Sequence, residues 1–384
     1  MELIHPQYHI FKANPVVMTL PKFTEGTLYI DRDRDVRTGE WGAYVKIGIV
    51  RDSKTPEQRV KELQTGNPRR VHTIKTYSSP MVENLETRLH HNFATKWVRG
   101  EWFEMDEGFV EKELNQQILS YIEEQNEYID YHKQRVELGS TASNGNVREP
   151  TDEEQKLHKK YIEVKLRNDI LSAQSQILKA NLMAGMGQGG GIDAILKLVK
   201  RATPEKTTPA HQKFDSKVFK EKYPDLYDQL VVVSQTPPKG SLSMKKVPAL
   251  SKQNPDLREL EKASKESCDE LKVANCDYES IEPTKTLKQM HLEHIELLGE
   301  IFNTDLEMER IKSKLAVALG DDEGINDILV WKRVSKNQEK LDAKLVQEKE
   351  SEAYEACMIE VPEKTTPAKQ TVAIEVEMYR EYAL

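Results

Sequence analysis

Apolar and polar residues alternate from Gly26 to Arg32 (GTLYIDR) and again from Ala43 to Val50 (AYVKIGIV), a period of two that predicts two strands. Between them DRDVRTGEWG, charged and containing glycine, suits a hairpin loop. Thr55-Pro56-Glu57 then reads as a helix start, with Thr55 as cap and Pro56 in the first turn; Arg59, Val60 and Leu63 follow at helical spacing until Gly66-Asn67-Pro68. VHTIKTYS (71–78) is a third strand. Pro80 opens a helix through Val82, Leu85, Leu89 and Phe93, and Glu101–Met105 closes the unit as a short strand. Ahead of all this, residues 1–25 carry Pro6, Pro15 and Pro21 and read as an extended arm.

From Asp106 to about Leu138 the pattern is one long charged helix, and GSTASNGNVREPT after it has the composition of a flexible linker. Beyond the linker the chain repeats itself. ILKANLMAGMGQGGGIDAILKLVK, ending at Lys200, aligns with RIKSKLAVALGDDEGINDILVWKR, ending at Arg333, which sets Gly187 opposite Gly320 and Gly191-Ile192 opposite Gly324-Ile325. Phe214-Asp215 and Leu341-Asp342 follow the two copies. An identical PEKTTPA at 204–210 and 362–368 falls at a different place in each copy and reads as a duplicated loop or chance. Heptad-like spacing over Leu292–Leu315 predicts helix pairing, within the unit or between protomers. The expected organisation is an arm (1–25), a small mixed α/β domain (26–106), a connecting helix (107–138), a linker (139–152), one α+β repeat (153–235), a second linker (236–257) and a second repeat (258–384). The fold class is α+β.

Composition narrows the classes of function. With 31% charged residues, 7% aromatic residues and a mean hydropathy of -0.68, the chain reads as soluble and rich in surface helix. No apolar run approaches the ~20 residues that cross a bilayer, and MELIHPQYHIFKANP lacks the regions of a signal peptide, so a cytoplasmic location and no membrane partner are expected. Cys268, Cys276 and Cys357 form no CxxC pair and read as reduced thiols. The net charge of -8 argues against bulk attraction to nucleic acid, but it is unevenly spread: residues 1–106 hold 16 Lys+Arg against 14 Asp+Glu, a net of +2, leaving -10 for the rest.

The order LYI (28–30), KIG (46–48), Arg59, LQTGNP (63–68), LETRLH (85–90) and GEWF (100–103) resembles the GIY-YIG nuclease superfamily, in the branch first named from an open reading frame of phage T-five. The resemblance covers residues 26–105 and implies a metal-dependent nuclease fold, with Glu86 as ligand to Mg²⁺ or Mn²⁺. Hydrolysis of a phosphodiester needs a water, a base, positive charge on the phosphate and help for the leaving oxygen. Glu86 offers a hard oxygen from a rigid helix. Tyr29 would share a face with the neighbours of Ile47 and orient or deprotonate water. Arg59 would clamp the phosphate with its planar fork. His90, four residues after Glu86, would act as base, supporting partner or phosphate contact. Lys46 stands where the superfamily has its second tyrosine; it suits phosphate contact, while a compact ammonium does not exchange a proton as a phenol does. Trp102 and Phe103 are expected in the core, and Gly48 and Gly66 at a strand end and a turn.

The second half carries less chemistry. MGQGGG followed by FDSKVFKEKYPDLYDQL resembles the tail of lambda-type phage recombination exonucleases, without the Asp and Glu-x-Lys metal constellation of such enzymes. Gly187–Gly191 lacks the Gly-Lys-Ser/Thr of a phosphate loop and reads as a helix end. His291 and His294 read as a solvated helix face. The leading expectation is therefore a DNA endonuclease of phage or prophage DNA processing in the host cytoplasm, with DNA and phage recombination or replication proteins as partners. The alternatives are a catalytically degenerate DNA-binding or recruitment protein and an assembly factor whose working part is the duplicated region.

Overall fold

A computed structural model describes residues 23–51, 54–65 and 67–377. The N-terminal arm up to residue 22 and Gly66 lie outside the described residues. In the N-terminal domain β1 (Gly26–Arg34), β2 (Trp41–Arg51), β3 (Arg70–Ser79), β4 (Trp97–Arg99) and β5 (Trp102–Glu104) form an antiparallel sheet in the order β3-β1-β2-β5-β4. Opposed residues of an antiparallel pair share a face. On one face Leu28, Ile30, Val45, Ile47 and Phe103 are fully buried in a core with Val82, Leu85 and Leu89 of α2 (Val82–Asn92). α1 (Pro56–Gln64) packs against β1, β2 and β3. It begins with a capping box in which the Thr55 hydroxyl accepts from the Gln58 amide and the Gln58 side chain accepts from the Thr55 amide, an arrangement that contributes about 1 kcal/mol. The Gln64 side chain then binds the backbone of Asn67, Arg69 and Val71, fixing the helix end to β3.

A π-helical turn (Val110–Leu114) leads into α3 (Asn115–Gly139). The next residues are ordered rather than a flexible linker. Val147–Arg148 pairs in parallel with Gly324–Ile325, and Arg148 binds Glu154, Asp322 and the Ala318 carbonyl. The polar side chains that suggest mobility are used here in hydrogen bonds. Two long antiparallel helices follow, α4 (Asp152–Gly185) and α6 (Lys285–Leu319), with α5 (Pro255–Asn275) beside α4. The heptad-like spacing of α6 is spent on α4 within the same chain. His291 and His294 are buried rather than solvated: His291 Nε2 donates to the Glu377 carbonyl, and His294 hydrogen-bonds the Ser175 hydroxyl. α6 also enters the N-terminal core through Ile295. His91 donates to the Ile295 carbonyl, and Gly299 allows the approach, since a Cβ there would lie 2.6 Å from His91 Cβ. Among the described residues no helix is long and apolar enough to cross a membrane.

The repeat is real in local structure. Gly187 and Gly320 follow their helices with φ of 60° and 63°, and the turns after them carry the left-handed residues Ala194 and Asp327 at equivalent positions. The copies are not separate units, however, because each finds its strand partners in the other. Leu196–Phe214 runs antiparallel to Met358–Val376 in one unbroken register, from Leu196↔Val376 to Phe214↔Met358. The two PEKTTPA segments sit in the middle of this ribbon, with Thr207 opposite Thr365, so the duplicated sequence is a self-complementary pairing rather than a stray loop. A second, shorter ribbon joins Val231–Gln235 to Asn337–Leu341. Both ribbons meet at a small cluster around Phe219, Tyr227, Val346 and Cys357, built from both copies. They are rooted at opposite ends of the α4–α6 pair, the long one near Met183 and Ile195, the short one near Leu319 and Trp331. There the buried Arg333 donates to the carbonyls of Leu138 and Gly320, which close α3 and α6.

Candidate active site on the sheet face

The face of the sheet opposite the core gathers the polar residues of β1 and β2. Tyr29 is paired with Gly48 and Asp31 with Lys46, so all four side-chain positions point the same way. Gly48 lies within β2, not at a strand end, and its role is space: a Cβ there would sit 2.5 Å from the Tyr29 hydroxyl oxygen and 2.6 Å from its Cζ. The Tyr29 ring therefore lies across the glycine. Arg59 of α1 hydrogen-bonds the Tyr29 hydroxyl while its Nη1 donates to Glu62 Oε2 at 2.6 Å. Burial pushes the Tyr29 phenol up to about 12, with Asp31 and Glu86 adding to the rise and Arg59 opposing it. At neutral pH Tyr29 is a protonated donor.

Lys46 is 4% exposed and ion-paired with Glu101. Burial pushes its ammonium down to about 8 and Arg59 adds to this, while Glu86 and Asp31 act in the ammonium's favour. Burial thus brings this lysine nearer to neutrality than the residue type alone indicates. Glu86, on α2, is pushed up to about 7 by burial, with Glu83 adding to the rise and Lys46, Arg51 and Arg59 opposing it. Part of its side chain still reaches solvent. Among the described residues the carboxylate accepts no hydrogen bond and makes no ion pair.

Tyr29, Lys46, Arg59 and Glu86 thus act on one another's charge within one site, whereas His90 is placed differently. It lies in the core against the stacked rings of Trp97 and Phe103, its Nε2 donates to the Ile47 carbonyl at 2.9 Å, and burial pushes it down to about 3. It is neutral, packed against core aromatic rings, and holds β2 in place through the Ile47 carbonyl. Asp31 belongs to the site and escaped the motif reading. It is fully buried, its Oδ1 accepts from the Thr73 hydroxyl at 2.7 Å, and its Oδ2 has no partner among the described residues. Burial raises its pKa, against Thr73 and Lys46. The signal was present in LYID, where an acid follows Tyr29 by two residues and so falls on the same face of the strand. Trp102 is a second correction: only Phe103 enters the core, while Trp102 pairs with Lys46 on the site face.

Among the described residues no three His, Cys, Asp or Glu side chains cluster as a metal cage. Glu86 alone has the hard oxygen chemistry that the sequence assigns to a divalent ion, and its carboxylate accepts no hydrogen bond among the described residues.

Residues 26–122, about a quarter of the chain, match the T5orf172 domain family, which is GIY-YIG-like and phage-associated. The match reaches into α3, beyond the boundary at Asp106 expected from the motifs. No curated protein sequence and no solved structure matches the chain.

Proposed function

We propose that the N-terminal domain is a divalent-metal-dependent endonuclease that hydrolyses phosphodiester bonds in DNA, in phage or prophage DNA processing within the bacterial cytoplasm. The observation that supports this is the gathering of a guanidinium (Arg59), a buried lysine (Lys46), a protonated phenol (Tyr29) and a carboxylate without a hydrogen bond among the described residues (Glu86), each acting on the others' charge. Glu86 would hold Mg²⁺ or Mn²⁺, which when bound supplies Lewis-acid charge to the phosphate oxygens. Arg59 orients the scissile phosphate. Lys46, in its amine form and released from Glu101, takes the proton that the attacking water gives up. The water oxygen bonds to phosphorus, the bond to the sugar oxygen breaks, and that oxygen takes a proton from solvent. Tyr29 donates a hydrogen bond to the developing charge, and Asp31 stabilises the Lys46 ammonium that forms.

The ion pair of Lys46 with Glu101 favours a second reading, in which the domain binds DNA without cutting it and recruits recombination or replication proteins through the duplicated region. Plasmid and branched DNA incubated with Mg²⁺ and Mn²⁺ separate the two. Cleavage lost in Glu86→Ala supports the nuclease; cleavage by neither protein, or equally by both, overturns it. Salt-dependent binding without cleavage selects the second reading.

A further inference from the structure

The site face does not end at Lys46. Tyr44 lies two residues earlier on β2, on the same face, and is 45% exposed. Trp102 stands directly opposite Lys46 on β5 and is partly exposed. Neither ring stacks on another side chain among the described residues, and neither the phenol nor the indole N–H finds a hydrogen-bond partner there. In the same strands the alternate residues Val45 and Phe103 are fully buried, so the open aromatic pair is not overflow from the core. Tyr44 and Trp102 are diagonal neighbours across the β2–β5 pair, which separates their positions by roughly 7–8 Å. That is about twice the ~3.4 Å rise between successive nucleotides along a strand, which leaves room for one flat base between the rings. Arg99, exposed and paired opposite Trp102 on β4, puts a further positive charge at the edge of the platform.

We propose that Tyr44 and Trp102 form a stacking platform for an unpaired base adjacent to the phosphate oriented by Arg59, so that the domain selects DNA with single-stranded character over continuous duplex. The proposal rests on the nuclease reading of the same face. Bases inside a duplex are already stacked on their neighbours, and only an unstacked base presents its flat faces to two rings on a sheet. Glu101 and Glu104 flank the platform and disfavour phosphates there. This leaves the rings to take the base and the Arg59 side of the face to take the backbone.

The test uses the full-length Glu86→Ala protein, in which cleavage does not interfere, with fluorescently labelled oligo(dT) and a blunt hairpin duplex in anisotropy titrations over a range of salt. Oligo(dT) is expected to bind more tightly than the hairpin. Adding Tyr44→Ala is expected to weaken oligo(dT) binding by about 5- to 100-fold, to leave the hairpin unaffected and to keep the same salt slope, because no phosphate contact is lost. Tyr44→Phe should restore binding. Tyr44 is exposed, so its replacement leaves the core intact, and circular dichroism of each variant checks this. Equal affinity for the two DNAs, or oligo(dT) binding unchanged by Tyr44→Ala, overturns the platform. If the wild-type protein still cuts DNA in either case, the nuclease reading stands and only the platform falls; if the protein neither binds nor cuts any DNA, both fall.

Discussion

Replacing Gly48 by alanine is the smallest change that tests how the site is built. The new methyl carbon would lie 2.5 Å from the Tyr29 hydroxyl oxygen, 2.6 Å from Cζ and 3.0 Å from Cε2, all well inside van der Waals contact. The ring has little room to yield, being 1% exposed and tied through its hydroxyl to Arg59. Overpacking of this kind costs about 1–3 kcal/mol. The expected result in urea unfolding is a loss of that size in Gly48→Ala, together with loss of any cleavage, since the phenol is driven from its place. A double-mutant cycle sharpens the test. With Tyr29→Ala in the background the obstacle is gone, and Gly48→Ala should then cost under ~0.5 kcal/mol, so the two changes couple by about 0.5 kcal/mol or more. Equal costs for Gly48→Ala with and without Tyr29 would refute the account of why a glycine follows Lys46-Ile47.

Other expectations follow from the same geometry. Because Glu86 is held near 7, protons compete with a divalent ion below that pH; Mn²⁺ affinity, followed by titration calorimetry, should fall as pH drops from 7 and level off above it, and a break near 4.5 instead would contradict the raised carboxylate. The raised pKa also has a sign for stability: the folded state is favoured fully below the unfolded value near 4.5 and loses that advantage as pH rises through 7. Glu86→Gln should therefore be more stable than wild type at pH 8, by roughly 1–3 kcal/mol, and no more stable at pH 4. Arg333→Leu removes charged donors from the carbonyls that end α3 and α6 and should lower stability by about 3 kcal/mol or more in denaturant unfolding; a cost under ~1 kcal/mol would show that water replaces the guanidinium. Gly299→Leu should prise α2 from α6, visible as faster amide exchange along both helices, while Glu300→Ala on the surface of α6 leaves exchange unchanged.

Much of the N-terminal domain was legible because its signals are local. The alternation in GTLYIDR and AYVKIGIV, the Thr55-Pro56 cap and the apolar spacing of Val82, Leu85 and Leu89 each act over a few residues, and the structure uses each as read. Pairwise register was not legible. Whether Trp102 or Phe103 enters the core depends on which of them stands opposite Val45, a partner far away in the chain. His90 follows Glu86 by one helical turn, yet Trp97 and Phe103 close over the later residue, and nothing in LETRLH announces that lid. The same limit applied to the second half, where the strands that complete Leu196–Phe214 come about 160 residues later. PEKTTPA could be seen as a duplication but not as a sequence paired with itself.

That exchange of strands has a consequence for how such a region arises. Exchanging the two copies exchanges the two ribbons, so the pairing has the logic of a two-fold axis held within one chain. A lone copy would leave both its ribbon strands, the long and the short, without partners, and two separate copies would supply them to each other only at a concentration that favours the dimer. Fusion in tandem removes that dependence, since each half always meets its complement. The duplicated region is in this sense a swapped homodimer written on a single polypeptide, and a break in the chain between the halves should yield two fragments that fold only together.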